Sequence, residues 1–314
     1  MRNLLVLGVV GVIAQLIDGS LGMAYGVTSS TLLLASGIAP AAASAAVHFS
    51  EIGTTLVSGF AHHKLGNVDW RTVSIIAVPG GIGAFAGATF LSSIPGDTAK
   101  PWVAGLLLAL GLYVIWRFLA LGGRRPTFKG RLSARFLAPL GVVAGLMDAI
   151  GGGGWGPVGT TSLLSSGRLE PRKVVGSIDT SEFVVAIGGS LGFLFALGSQ
   201  GINFGYAGAL LAGGVIAAPL AAWFVKHMPA RVLGVAAGGL IVLTNTKTIV
   251  ETVGAGSSTV VAVTALVAVT WVSLIVWAVK QERLCRSGGP AMDAPDDVER
   301  ISARPSRPRQ ATFV

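Results

Sequence analysis

Apolar runs separated by short polar or basic stretches occupy this chain from Leu4 to Val279. Ala41–Ala61, Val73–Leu91, Trp102–Leu119, Val174–Leu197, Phe204–Val225, Val232–Ile249 and Thr259–Val279 are long enough, at 1.5 Å per residue, to cross roughly 30 Å of hydrocarbon as helices. Two other runs, Val27–Ser36 and Val158–Ser166, are too short to do so. Each follows an apolar helical run (Leu4–Ile17, Leu137–Ile150) across a glycine-studded break. The first break is Asp18-Gly19-Ser20-Leu21-Gly22-Met23-Ala24-Tyr25-Gly26; the second is Asp148-Ala149-Ile150-Gly151-Gly152-Gly153-Gly154-Trp155-Gly156. Each break reads as the tip of a re-entrant hairpin.

The two breaks belong to a duplicated unit. Gly11–Asp18 lies over Gly141–Asp148, Ser36-Gly37 over Ser166-Gly167, Pro40 over Pro171, Ser50-Glu51 over Ser181-Glu182, Asp69-Trp70 over Asn203-Phe204 and Pro95 over Pro229. The recurrence of the Leu4–Ile17 pattern at Leu137–Ile150, where no leader can sit, identifies the N-terminal run as a structural helix rather than a signal peptide.

Composition fixes the solvent. Of 314 residues 52% are hydrophobic and 12% charged, against about 25% charged in a soluble domain, and the mean hydropathy is +0.72. The net charge of +9 has no aromatic-lined basic platform beside it, which argues against nucleic acid. The basic residues instead collect in Lys64–Arg71, Arg117–Arg135, Arg168–Lys173, Lys226–Arg231 and after Lys280, while Gly37–Pro40, Gly198–Asn203 and Thr252–Ser258 carry none. By the positive-inside rule the first group is cytoplasmic and the second external. A returning hairpin plus three spans is an odd number, so the second copy must be inverted.

The expected fold is therefore an all-α, polytopic membrane protein. Two inverted repeats (1–120 and 135–250) flank a cytoplasmic basic linker (121–134). An extra transmembrane helix (251–280) and a disordered cytoplasmic tail (281–314) follow, with an external N-terminus, in the plasma membrane. Inverted repeats whose broken helices meet near the midplane are the construction of secondary transporters.

The hexapeptide Gly66-Asn67-Val68-Asp69-Trp70-Arg71 after His62-His63-Lys64, the Gly151–Gly154 turn and the duplicated plan resemble the TauE/SafE family of membrane transporters over about residues 5–250. The resemblance implies export of sulfite or a related organosulfur or carboxylic anion.

The residues themselves point to a polar centre. A half-helix starting after each break exposes backbone N–H groups and the positive end of its dipole, and glycine lets an anion approach closely. This makes Gly22, Tyr25, Gly26, Thr28, Ser29, Gly152, Gly153, Gly154, Trp155, Gly156, Thr160 and Thr161 the candidate lining for a small anionic substrate. The competing reading is that the glycines serve close helix packing. A polar stripe on the next helices adds Ser44, His48, Ser50, Glu51, Thr55 and Ser58, with Asp179, Ser181 and Glu182 in the second copy. Charges in hydrocarbon cost at least about 2.5 kcal/mol each and face a cavity or a partner.

Asp18, Glu51, Asp148, Asp179 and Glu182 around an anion site pose a conflict. Three resolutions stand: they are neutral, they cap helix ends (Asp18 and Asp148 precede the breaks), or they carry protons or cations coupled to transport. An inside-negative potential alone would drive anion export, whereas uptake would need such a partner. A channel shares this layout. A hydrolase does not suit it: Ser50 beside His48 has no nucleophile elbow, and residues two apart on a helix do not face each other. No metal-ligand spacing or cofactor motif stands out, and the single Cys285 forms no cluster.

Overall fold

The computed structural model describes residues 2–21, 23–120, 131–166, 168–227 and 230–287. Gly22, most of the 121–134 linker and the tail beyond 287 lie outside them. Among the described residues the regular structure is entirely helical: α1 (Arg2–Leu21), α2 (Tyr25–Ala35), α3 (Pro40–Lys64), α4 (Trp70–Ser92), α5 (Gly96–Ala120), α6 (Ala134–Gly151), a π turn (Trp155–Thr160) continuing into α7 (Thr161–Ser165), α8 (Pro171–Leu197), α9 (Phe204–His227), α10 (Ala230–Thr252) and α11 (Ser257–Ser287).

Local signals set the boundaries. Pro40 and Pro171 stand in the first turns of α3 and α8, where a missing N–H costs nothing. Asp69 caps α4 by accepting the Arg71 N–H at 3.3 Å. α6 ends at Gly152, whose φ of 66° a side chain would resist.

Six helices are long and apolar enough to cross a membrane among the described residues: α4, α5, α6, α8, α10 and α11. This set differs from the sequence expectation in two places. α3 drops out because its polar stripe dilutes the apolar run. α6, expected as a hairpin arm, enters at the minimum length of 18 residues, or about 27 Å, slightly less than the hydrocarbon thickness. α9, expected over Phe204–Val225, runs as one helix over Phe204–His227. A third difference lies at the end of the chain. α11 continues past residue 280 to Ser287, because Gln281-Glu282-Arg283-Leu284 are good helix formers that extend it where a tail was expected.

The helices run in defined directions relative to one another. α4 and α6 pack side by side and parallel. A Cβ added to Gly141 would lie 2.7 Å from the Ile76 carbonyl oxygen, and one on Gly87 would lie 2.6 Å from that of Leu146. α1 and α9 pair in the same register, with Gly11 against the Leu210 backbone. α3 and α8 cross antiparallel, placing His48 by Gly189 and Ser58 by Asp179. α5 and α10 also run antiparallel, with Gly111 at Ile241 and Gly238 at Ile115. Backbone-to-backbone approach without side chains is how helices associate where lipid removes the hydrophobic drive. The outer faces remain apolar: Val261, Leu266, Val269, Val272 and Val276 of α11 are exposed, as are Phe60, Ile82, Trp102, Trp116 and Phe195.

Gly141→Val should lower the thermal stability of the detergent-solubilised protein by about 1–3 kcal/mol, since it drives a side chain into the Ile76 backbone. Gly105→Ala, inside α5 where an added Cβ meets nothing within 4 Å, should instead raise the melting temperature slightly, by the equivalent of about 0.5–1 kcal/mol.

Candidate functional site

Both breaks lie at the centre of the helix assembly and touch each other. A Cβ on Gly26 would lie 2.5 Å from the Gly152 carbonyl oxygen, 2.7 Å from Gly153 Cα and 2.9 Å from Glu51 Oε1, and Gly153 abuts Val27 in return. Gly156 faces Met23. Ser30 Oγ donates to the Gly152 carbonyl at 2.9 Å, and Ser44 Oγ donates to that of Ala149 at 2.6 Å. These two cross-links tie the first copy to carbonyls freed at the end of α6. Ser30 is an addition to the sequence-predicted residues; the run Thr28-Ser29-Ser30-Thr31 in a short arm is the signal that could have found it.

An aspartate spans each break. Asp148 Oδ1 accepts the N–H groups of Gly154 at 2.6 Å and Trp155 at 2.9 Å. Asp18 Oδ1 accepts that of Tyr25 at 3.1 Å. In both copies the carboxylate binds the residue seven positions on, so the start of each arm is neutralised from within the chain. The helix geometry still leaves the N–H groups of Gly26 and Val27 without an intrahelical acceptor.

The aromatic that opens each arm is buried. Trp155 is fully enclosed, its Nε1 donating to the Ile178 carbonyl at 3.0 Å and its ring resting against Gly80. The Tyr25 hydroxyl lies 3.2 Å from Ser50 Oγ and donates to the Leu210 carbonyl at 3.3 Å. Ser50 and Ser181 donate to the carbonyls of Val47 and Ile178, each three residues back on its own helix. Thr161 Oγ1 bonds the Pro157 carbonyl. Thr28, Ser29 and Thr160 are buried, and the hydroxyls of Thr28 and Thr160 have no hydrogen-bond partner.

The charged groups fall into two clusters that the sequence repeat relates. Around Asp148 stand His48 and Glu51, all three at most 1% exposed. The His48 Nδ1–H donates to the Ser44 carbonyl at 3.0 Å, and its Nε2 lies 3.3 Å from Asp148 Oδ2. Around Asp18 stand Asp179 and Glu182, which are half-buried. Asp179 Oδ2 accepts from Ser58 Oγ at 2.5 Å and lies 3.9 Å from His62 Nε2. Two small polar cavities, of about 10 and 30 Å³, adjoin this second cluster. Both are lined by Asp18, Tyr25, Asp179 and Glu182; Asp148 and Gly153 line one, Glu51 and Ser58 the other, and no Lys or Arg lines either.

Ala24, the residue before α2, has a φ of 125°. Its counterpart in the second copy is Gly154, at an ordinary φ of −122°. A non-glycine residue held there stores strain on the order of 1–3 kcal/mol.

Comparison with known proteins places the chain as follows. The sulfite exporter TauE/SafE family matches residues 7–248. "Probable membrane transporter protein YtnM" of Bacillus subtilis (strain 168) is 48% identical over 284 residues, covering 90% of this chain and 94% of that protein. "Probable membrane transporter protein YdhB" of the same organism is 26% identical over 182 residues, covering 57% and 73%. No solved structure matches.

Replacing Ala24 by Gly should relieve the strained φ and raise the unfolding temperature, by the equivalent of about 1 kcal/mol. Thermal denaturation of purified protein measures this.

Proposed function

The chain belongs to the sulfite exporter TauE/SafE family, a family of multi-pass membrane transporters, and on that premise we propose that it is a secondary carrier moving a small anion by alternating access. The substrate is sulfite or a related organosulfur or carboxylic anion. The carrier resides in the plasma membrane, works as an exporter, and has its N-terminus outside and its C-terminus in the cytoplasm. The observation that carries this reading is the central contact of the two breaks, Gly26 against Gly152-Gly153 with the Glu51 carboxyl beside them. Interrupted helices meeting at depth are where carriers hold their substrates.

Inversion of the second copy draws support from helix direction. The matched pairs α3/α8 and α5/α10 run antiparallel, whereas the unlike pairs α1/α9 and α6/α4 run parallel in one shared register. A twofold axis in the membrane plane produces this combination. The two charged clusters then become equivalent half-sites in unequal states, with His48, Glu51 and Asp148 buried and Asp18, Asp179 and Glu182 half-buried, and both reach the cavities between them. One of the two cavities follows α3 from Glu51 to Ser58, in the direction of the His62-His63-Lys64 end, which is the cytoplasmic end by its charge. Access from that end and from the opposite one alternates in the exchange cycle.

Electrostatics adds a condition. Two like charges 4 Å apart repel by about 4 kcal/mol at an effective dielectric constant of 20. The cavities hold carboxyl groups with no Lys or Arg in their lining, so an anion passes only with compensating positive charge, as protons or as a cation. Asp18, Glu51, Asp148, Asp179 and Glu182 are the coupling groups.

Two measurements test this. In proteoliposomes, labelled sulfite should show saturable uptake and acceleration by unlabelled sulfite on the opposite side. Flux that rises linearly without such exchange would mean a channel. On a Cys285→Ser background, Ala39→Cys and Arg168→Cys should react with a membrane-impermeant maleimide from opposite faces, Ala39→Cys from outside. Labelling from one face would remove the inverted arrangement.

A further inference from the structure

His48, Glu51 and Asp148 bring one imidazole nitrogen and two carboxyl groups together so that one donor atom from each lies within 4.8 Å of the others. His48 Nε2, Asp148 Oδ2 and both Glu51 carboxyl oxygens are buried and without a hydrogen-bond partner. Such orphaned atoms are rare inside proteins and call for an occupant.

The surroundings are arranged for one. The His48 Nδ1–H is committed to the Ser44 carbonyl, which presents the Nε2 lone pair to the cluster. Phe193 meets the ring edge-on at 5.8 Å, and a Cβ on Gly189 would lie 2.8 Å from Nε2, so the ring is wedged in that orientation. Asp148 Oδ1 is held by two backbone N–H groups, leaving Oδ2 to face Nε2. An imidazole whose far nitrogen donates to a carbonyl, beside a carboxylate that is itself hydrogen-bonded, is the outer-shell pattern of metal ligands.

Distance also suits a bound ion. Nε2 and Oδ2 are 3.3 Å apart. Two ligands at 2.0–2.1 Å from a tetrahedral ion stand about 3.3–3.4 Å apart. Charge agrees: two carboxylates, a neutral imidazole and a divalent ion sum to zero, the least costly state for a buried cluster. The imidazole argues for a first-row transition ion over calcium or magnesium.

We infer that His48, Glu51 and Asp148 bind a divalent transition-metal ion, with Zn2+ as its type, at the contact of the two breaks. Three protein ligands leave a coordination position open. Resting on the carrier reading, that position, beside Gly26 and Gly153, is where an oxygen or sulfur of the transported anion binds, held by direct coordination to the ion rather than by net charge.

The test uses the full-length protein, purified in detergent, stripped with chelator and titrated with Zn2+ and Co2+. The expected result is one equivalent bound per chain, with a Co2+ visible spectrum of low coordination number. Glu51→Gln, whose carboxyl makes no hydrogen bond that folding would miss, should weaken Zn2+ binding by at least about 100-fold. His48→Gln should do the same, and Glu251→Gln, at the exposed end of α10, should leave binding intact. Absence of stoichiometric Zn2+ in the wild type, or unchanged affinity in folded Glu51→Gln, overturns the proposal and assigns the cluster a proton. Adding sulfite should change the Co2+ spectrum. A bound ion indifferent to sulfite would uphold the metal site while removing the anion, and with it the carrier reading, from this position.

Discussion

A helix broken inside hydrocarbon must find new partners for the backbone groups that the break releases, because no water is there to take them. At the second break Asp148 does this, gathering the Gly154 and Trp155 N–H groups on one carboxylate oxygen. The rest of the centre follows from that commitment. Fixing Trp155 at the start of its arm lays the indole against Gly80 and joins it to the Ile178 carbonyl, so α4 and α8 are aligned by the same turn. Fixing Oδ1 also decides where Oδ2 points, which is at His48. The carbonyls freed on the other side of the break are taken by Ser30 and Ser44 of the first copy. Neither break is complete without groups from the opposite repeat.

Close approach is the second constraint. The breaks meet only because Gly26, Gly152 and Gly153 bring backbone against backbone, and the same device recurs outside the centre, where Gly141 meets Ile76 and Gly11 meets Leu210. Packing and site formation are therefore joint uses of glycine here. The crossings of α4 with α6 and α1 with α9 hold the long parts of the repeats together, and the arms then come within van der Waals distance at the middle.

Much of this can be read from the sequence, for physical reasons. Apolar run length gave most of the helices, since burial in lipid depends on little else. Duplication located both breaks and paired Asp18 with Asp148, Tyr25 with Trp155 and Glu51 with Glu182. Partner choice could not be read: α4 packs beside α6 of the other copy, and no periodicity within either helix names its neighbour. α3 was expected as a span that carries a polar stripe, and that stripe of Ser44, His48, Ser50 and Glu51, buried at the centre, makes it too polar to count among the apolar helices. The extension of α11 to Ser287 was hidden by charge, which marks a segment as outside the lipid without saying whether it is helical. The His48–Asp148 contact joins residues a hundred positions apart in different repeats, beyond the reach of any spacing rule.

The duplicated sequence also contains a built-in inequality. His48 in the first copy corresponds to Asp179 in the second, so one half-site offers an imidazole and two carboxylates and the other offers carboxylates alone. Only the first joins an imidazole to two carboxylates, and it is at most 1% exposed where the second is half-buried. Equal half-sites would bind charge equally from either face and give an exchanger no preferred direction of occupancy. Unequal ones make the two faces of the cycle differ in how strongly positive charge is held. On the carrier reading, that difference is a source of directionality in a pseudo-symmetric protein whose central scaffold contacts correspond, as Gly11 against Leu210 does to Gly141 against Ile76.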